Sequence, residues 1–141
     1  MIRKFQENDI NSIMHIWLNT NIETHYFIDS KYWVNHYDMV KEMISHAEIY
    51  VYENDVTKHV DGFIGLTDDY IEGIFVKESV QSKGIGKKLL DFVKNMKLSL
   101  RLNVYQKNTR AISFYQREQF LIQSENMDYD TNEKEFIMTW N

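Results

Sequence analysis

Residues 70–97 read YIEGIFVKESVQSKGIGKKLLDFVKNMK, and this stretch sets the architecture of the chain. Its first part, Ile71-Glu72-Gly73-Ile74-Phe75-Val76, is an apolar alternating run with the signature of a strand. A polar turn from Lys77 to Lys83 follows. Beyond it Ile85, Leu89, Leu90, Val93 and Met96 recur at helical spacing, which predicts a helix opening at two glycines. Strand, glycine turn and helix in that order aim free backbone N–H groups and the positive end of a helix dipole at one point. An anion suits that point, and a pyrophosphate best, because several oxygens meet several donors there. Gly84 and Gly86 keep Cβ atoms out of the way of such a ligand, and Lys83, Lys87 and Lys88 add positive charge. The chain has no G-x-x-x-x-G-K-[ST] and no G-x-G-x-x-G after a first strand, so neither a P-loop nor a dinucleotide fold is indicated.

Composition narrows the class. At 141 residues the chain is expected to form a single domain, 1–141, with a core of useful size. It has no apolar run of membrane-spanning length and no apolar stretch after its N-terminus that would direct secretion. Cysteine is absent, which removes disulfides, thiol nucleophiles and thiolate metal sites and points to the cytoplasm. The formal charge of −5 argues against nucleic acid as a partner. The five histidines show no H-E-x-x-H spacing, so no metal is expected.

Working outward from the glycine turn, Ile2 to Phe5 reads as a short strand, with Asn8 and Asp9 where an N-cap belongs. Ile10, Ile13, Met14, Trp17 and Leu18 then define an amphipathic helix. A second helix starts after Asp29 or Ser30 and carries Trp33, Tyr37, Val40, Met43 and Ile44 on one side. From Ala47 the period becomes two. Ala47–Tyr52 and Val60–Thr67 read as paired strands, the second loosened or bulged by Gly62 and Gly65. After the central helix, Leu98–Tyr105 is a strand and Arg110–Gln119 a short helix. Phe120–Met127 and Glu135–Trp140 close the chain as strands. The order β-α-α-β-β-β-α-β-α-β-β is an α/β (α+β) arrangement around one mixed, mostly antiparallel sheet.

A second motif lies on the Leu98–Tyr105 strand and the helix after it: Asn103-Val104-Tyr105-Gln106-Lys107-Asn108-Thr109-Arg110-Ala111-Ile112-Ser113-Phe114-Tyr115. It resembles the V-x-x-x-N-x-x-A-x-x-F-Y signature of the GNAT family of N-acetyltransferases. Gln81-Ser82-Lys83-Gly84-Ile85-Gly86 likewise resembles that family's Q/R-x-x-G-x-G/A signature. The element order is similar to the whole GNAT fold. The resemblance implies acetyl-CoA as cofactor. Gln81, Ser82, Lys83, Gly84, Ile85, Gly86 and Lys87 would surround its pyrophosphate, while Ile74, Phe75 and Val76 would bond the pantetheine arm through their main chain. Asn108 would bond that arm or cap the helix, Ala111 would keep the helix start narrow, and Phe114 would pack on the cofactor or the core. Tyr115 would protonate or stabilise the leaving thiolate; the alternative is a core tyrosine bonded to a backbone carbonyl. One departure stands out. Gln119 occupies the place where the family's glycine favours a left-handed helix end.

The resemblance also implies a base for the attacking amine, often a carboxylate on the strand before the glycine turn. Glu72 lies on that strand, on the face of Tyr70, Ile74 and Val76 if alternation is strict. The family position falls nearer Tyr70, and Asp69 and His25 are further candidates. Ile16-Trp17 and Thr24-His25-Tyr26-Phe27 look like the I-W…T-H-x-F of a small bacterial group held to acetylate protein lysines or small amines. His25, Phe27 and Tyr70 are therefore expected on the acceptor side. The implied activity is transfer of acetyl from acetyl-CoA to a primary amine of a small molecule or peptide, the acidic chain favouring a cationic acceptor. The alternative is a non-catalytic module that senses acyl-CoA. Pairing of two chains through terminal strands, as a homodimer, stays open.

Overall fold

The computed structural model describes residues 1–141. Strand β1 (Ile2–Lys4) leads through a 3-10 turn at Glu7–Asp9 into helix α1 (Ile10–Thr24), followed by α2 (Ser30–Ile44). Strands β2 (Glu48–Glu53), β3 (Val60–Thr67) and β4 (Tyr70–Val76) come next. A second 3-10 turn at Glu78–Val80 precedes α3 (Ile85–Lys94); then come β5 (Leu100–Tyr105), α4 (Thr109–Arg117), β6 (Leu121–Asp128) and β7 (Glu133–Trp140). The seven strands form one mixed sheet in the order β1-β2-β3-β4-β5-β7-β6. Every neighbouring pair is antiparallel except β4 and β5. Element order and sheet type match the expectation from periodicity.

Helix starts follow local chemistry, with one exception. The Asp29 carboxylate accepts the Lys31 N–H at 2.9 Å and starts α2. Asp9 does not cap α1 with its side chain. Its carboxylate takes both Arg3 nitrogens, at 2.8 and 3.0 Å, and the Gln6 N–H at 2.8 Å. Asp9 is only 6% exposed, and a buried carboxylate is stable only when paired. The Arg3 guanidinium accordingly holds it below the usual carboxylate range, and Arg3 also reaches Glu53.

Two apolar clusters lie on opposite faces of the sheet. Leu89, Leu90 and Val93 of α3 and Tyr115 of α4 pack with Ile64, Leu66, Ile71 and Leu102. Ile13, Met14 and Trp17 of α1 and Trp33 of α2 pack with Ile49, Val51 and Phe63. Burial of each such side chain contributes about 1.5–3 kcal/mol, so both helix layers are held by packing rather than by propensity. Met43 and Met96 depart from expectation and are solvent-exposed. For Met96 the reason is that α3 stops at Lys94. Gln119 adopts the left-handed conformation, φ 75°, that its position requires even without a glycine.

The register between β3 and β4 slips between Gly65 and Leu66. Gly65 faces Gly73 and Leu66 faces Ile71, which makes Glu72 an extra residue in a β-bulge. Strict alternation therefore fails. Ile71, Ile74 and Val76 all pack with the α3 cluster, whereas Phe75 packs with the α1 cluster. A Cβ on Gly65 would touch both Glu72 Cβ and Ile49, so Glu72 projects from the α1 face, opposite Ile74 and Val76. The expected common face for Glu72, Ile74 and Val76 is corrected by this bulge. That bulge is on β4, opposite Gly65; β3 carries its own extra residue, Asp61, against β2 beside Gly62, as expected of that glycine, and a Cβ on Gly62 would also lie 2.8 Å from the Phe75 carbonyl oxygen. Gly62→Ala should lower the unfolding free energy by about 1–3 kcal/mol, read as a reduced denaturant midpoint at unchanged slope.

Candidate active site

Pairing of β4 with β5 covers two residue pairs, Tyr70–Arg101 and Ile71–Leu102, and then stops. Beyond this fork the β5-facing main chain of Gly73 to Val76 has no strand partner. β5 itself stays paired with β7 as far as Tyr105. The glycine turn lies at the far end of the divergence. Ser82 and Gly84 both have positive φ, 64° and 85°. No backbone N–H from Ser82 to Lys87 donates to any group of the protein; the first helical bond made there is from Lys88 N–H to the Gly84 carbonyl, at 3.0 Å. A run of consecutive unbonded N–H groups at a helix start is a cradle for an anion.

The cradle opens into a cavity of about 510 Å³. Ile74, Val76, Gln81, Ser82, Gly84, Ile85, Gly86, Lys87, Asn108, Ala111, Phe114 and Tyr115 line it, joining the two sequence motifs at one place. Phe75 and Lys83 are not on its wall, and Phe75 instead stacks on Phe63. Two of the three lysines expected to supply charge are engaged by the protein itself. Lys87 is engaged by Glu118 at 2.9 Å and Asp91 at 3.1 Å, and Lys88 sits over the Tyr52 ring. The cation bonded to the turn is Arg110, which donates to Ser82 Oγ at 2.7 Å and to Gln81 Oε1 at 3.2 Å. The Gln81 amide in turn donates to the Val76 carbonyl at 2.9 Å. Sequence reasoning missed Arg110, Arg117, Glu118 and Thr24 as lining residues. The signal for Arg110 was a cation in the first turn of the motif helix; Thr24 belongs to the Thr24–Phe27 motif.

Tyr115 is buried between Phe114 and Phe120 and lines the cavity. Its hydroxyl makes no hydrogen bond within the protein, so the alternative of a bond to a backbone carbonyl is not what is seen. Burial, helped by the nearby Tyr70 hydroxyl, pushes its pKa well above the usual phenol range. Tyr70 is pushed up to about 12 by burial and then by Glu72 and Glu135. Glu72 is exposed and accepts the Thr67 hydroxyl at 3.1 Å.

His25 lies outside the cavity wall, stacked on Trp33 and edge-on to Phe27 and Tyr105. Its Nδ1 is 3.1 Å from Asn21 Oδ1 and its Nε2 is 3.3 Å from Asn108 Nδ2. The two partners fix the tautomer: Nδ1–H donates to Asn21, and Nε2 accepts from Asn108. Asn108 Oδ1 also accepts the Ala111 N–H at 3.2 Å and caps α4. The histidine thus ties the end of α1 to the start of α4. Phe27 carries Lys107 over its ring at 5.5 Å.

A family model described as an acetyltransferase (GNAT) domain matches residues 45–120. The peptidyl-lysine N-acetyltransferase YiaC of Escherichia coli is 32% identical, over 99% of this chain and 96% of its own length. The peptidyl-lysine N-acetyltransferase YjaB of Salmonella typhimurium is 27% identical, over 86% and 83%. Among solved structures, apo YjaB from Escherichia coli superposes with a TM-score of 0.87 at 22% identity, over 99% of this chain and 96% of that one. An acetyltransferase of Bacillus anthracis in complex with acetyl coenzyme A gives a TM-score of 0.61 at 23% identity, over 67% and 62%.

Burial lowers the His25 pKa to about 4, so folding disfavours its charged form. Stability from this group is complete above the unfolded value of about 6.5 and is lost as pH falls toward 4, by up to about 3 kcal/mol. His25→Gln should flatten that acid limb in urea titrations across the same window. A limb left unchanged would contradict the assignment.

Proposed function

The chain belongs to the GNAT family of acetyltransferases, and from that premise we propose that acetyl-CoA lies across the β4–β5 fork and acetylates a lysine side chain. The activity itself is acetyl-CoA-dependent N-acetyl transfer. The observation that carries the binding mode is the unbroken run of unbonded N–H groups from Ser82 to Lys87 at the cavity mouth. Those donors match the oxygens of a pyrophosphate. The β5-facing main chain between Gly73 and Val76, where Gln81 takes the Val76 carbonyl and no strand pairs, matches the amides of a pantetheine arm, which would add to the sheet as a short strand does. Bound there, acetyl-CoA supplies an acetyl group activated as a thioester.

The protein's own groups then have distinct tasks. Gln81 and Arg110 hold the turn to the end of β4 and the start of α4, which keeps the cradle in shape. Ala111 and Phe114 bound the cavity, and Asn108 fixes the first turn of α4. Tyr115 lines the cavity with a hydroxyl that bonds no protein group, and in this reading it is the group that meets the departing sulfur. An alkyl thiol titrates near about 8.5, far below this buried phenol, so Tyr115 donates a hydrogen bond to the departing thiolate and keeps its proton. That is electrostatic stabilisation rather than full proton transfer. The lysine ammonium gives one proton to water at the fork. Its nitrogen then bonds the thioester carbon, the C–S bond breaks and CoA leaves as the thiolate. The second nitrogen proton passes to solvent, with positioning in the fork supplying much of the remaining rate. The acceptor class is supported by the relatives named as peptidyl-lysine acetyltransferases and by the chain's charge of −5.

Steady-state release of CoA with a lysine peptide tests this. Tyr115→Phe should lower kcat by about 10²–10³-fold while the affinity for acetyl-CoA, read by calorimetry, stays within about twofold. An unchanged kcat would contradict the role of the hydroxyl.

A further inference from the structure

The acceptor side of the fork carries a carboxylate that the sequence motifs do not include. On β5, Arg101, Asn103 and Tyr105 share a face with their β7 partners Thr139, Ile137 and Glu135. This is the α1 face of the sheet, where α1 itself lies against β3 and β4 and the β7 residues Glu135, Ile137 and Thr139 are half-buried. Asn103 is the first residue of β5 past the last pair with β4. Its Nδ2 donates to Glu135 Oε1 at 3.2 Å, and Asn126 Nδ2 donates to the same oxygen at 3.0 Å.

Glu135 is thus held in place by two neutral amides, half-buried, with no cation against it. Its second oxygen accepts nothing. Arg101, on this face, is already paired with Asp69 at 3.2 Å, and Lys107, in the loop after β5, with Glu133 at 3.1 Å. Glu72, the other carboxylate at the fork, is bonded only to the rotatable hydroxyl of exposed Thr67 and is not fixed in the same way. Tyr70 lies beside this face: it pairs with Arg101, whose guanidinium sits over its ring at 4.8 Å, and the charge of Glu135 is among the causes that raise its pKa.

We propose that the free oxygen of Glu135 receives the ammonium group of the acceptor lysine and sets it at the fork beside Tyr70. This rests on the lysine-acetyltransferase reading of the site. A fixed carboxylate with no cation against it is bonded more strongly by an ammonium, charge against charge, than by a neutral donor, so Glu135 favours charged amines over neutral isosteres.

The test compares a lysine peptide as substrate with the same peptide carrying norleucine as competitive inhibitor. In Glu135→Gln, which keeps the Asn103 and Asn126 bonds to a carbonyl oxygen, KM for the lysine peptide should rise about tenfold or more. The inhibition constant of the norleucine peptide, the affinity for acetyl-CoA and the melting temperature should not move. An unchanged KM, or a parallel rise of both peptide constants, overturns the role of Glu135. Absence of lysine-peptide turnover by the wild-type protein overturns the acceptor reading and this inference together, so the two failures are told apart.

Discussion

The short parallel contact between β4 and β5 governs everything else in the molecule. Two residue pairs join the strands at Tyr70 and Ile71, and the bulge at Glu72 comes directly after them. A bulge adds twist and bend to the strand that carries it, and β4 leaves β5 from that point. The departure exposes main-chain groups in the middle of a sheet, where unpaired groups are costly unless a ligand satisfies them. The same departure sends the chain to the glycine turn, so that α3 begins at the open end of the gap. One local irregularity thereby aligns a sheet-like edge and a helix start on a single cavity.

The two faces of the fork are held by different means. On one face α3 and α4 are anchored by apolar packing, with Leu89, Leu90 and Tyr115 in one cluster. On the other, a chain of polar contacts runs from Asn21 through His25 and Asn108 to the Ala111 N–H. Burial keeps His25 neutral, which lets it accept from Asn108 and donate to Asn21 at once. Loss of that bridge would free the start of α4, and Tyr115 sits on the same helix. Structural order on the α1 face is therefore coupled to the placement of the hydroxyl on the α4 face.

Most of the fold was legible because its signals are periodic. Leu89, Leu90 and Val93 announced α3, and the alternation of Leu100, Leu102 and Val104 announced β5. The glycine motif and the Asn108–Tyr115 motif each carried their own spacing, so their meeting at one cavity could be anticipated. What escaped depends on register and on long-range pairing. The face of Glu72 was misjudged because strict alternation takes no account of a bulge. The charge expected from Lys87 and Lys88 is spent on Glu118, Asp91 and the Tyr52 ring, contacts between residues that no local pattern connects. Glu135 was invisible for the same reason: it meets Asn103 only because β7 inserts between β5 and β6.

The most direct measurement is a calorimetric titration of acetyl-CoA into the protein and into Gly84→Glu. A Cβ at Gly84 meets no protein atom within 4 Å, so the added side chain clashes with nothing, and the φ of 85° confines the cost to backbone strain of about 1–2 kcal/mol at the turn. The account predicts binding on the order of 7–8 kcal/mol for the wild-type protein, abolished in a variant that stays folded. Equal binding by both proteins, or none by the folded wild type, would contradict the cradle as the site that holds the cofactor.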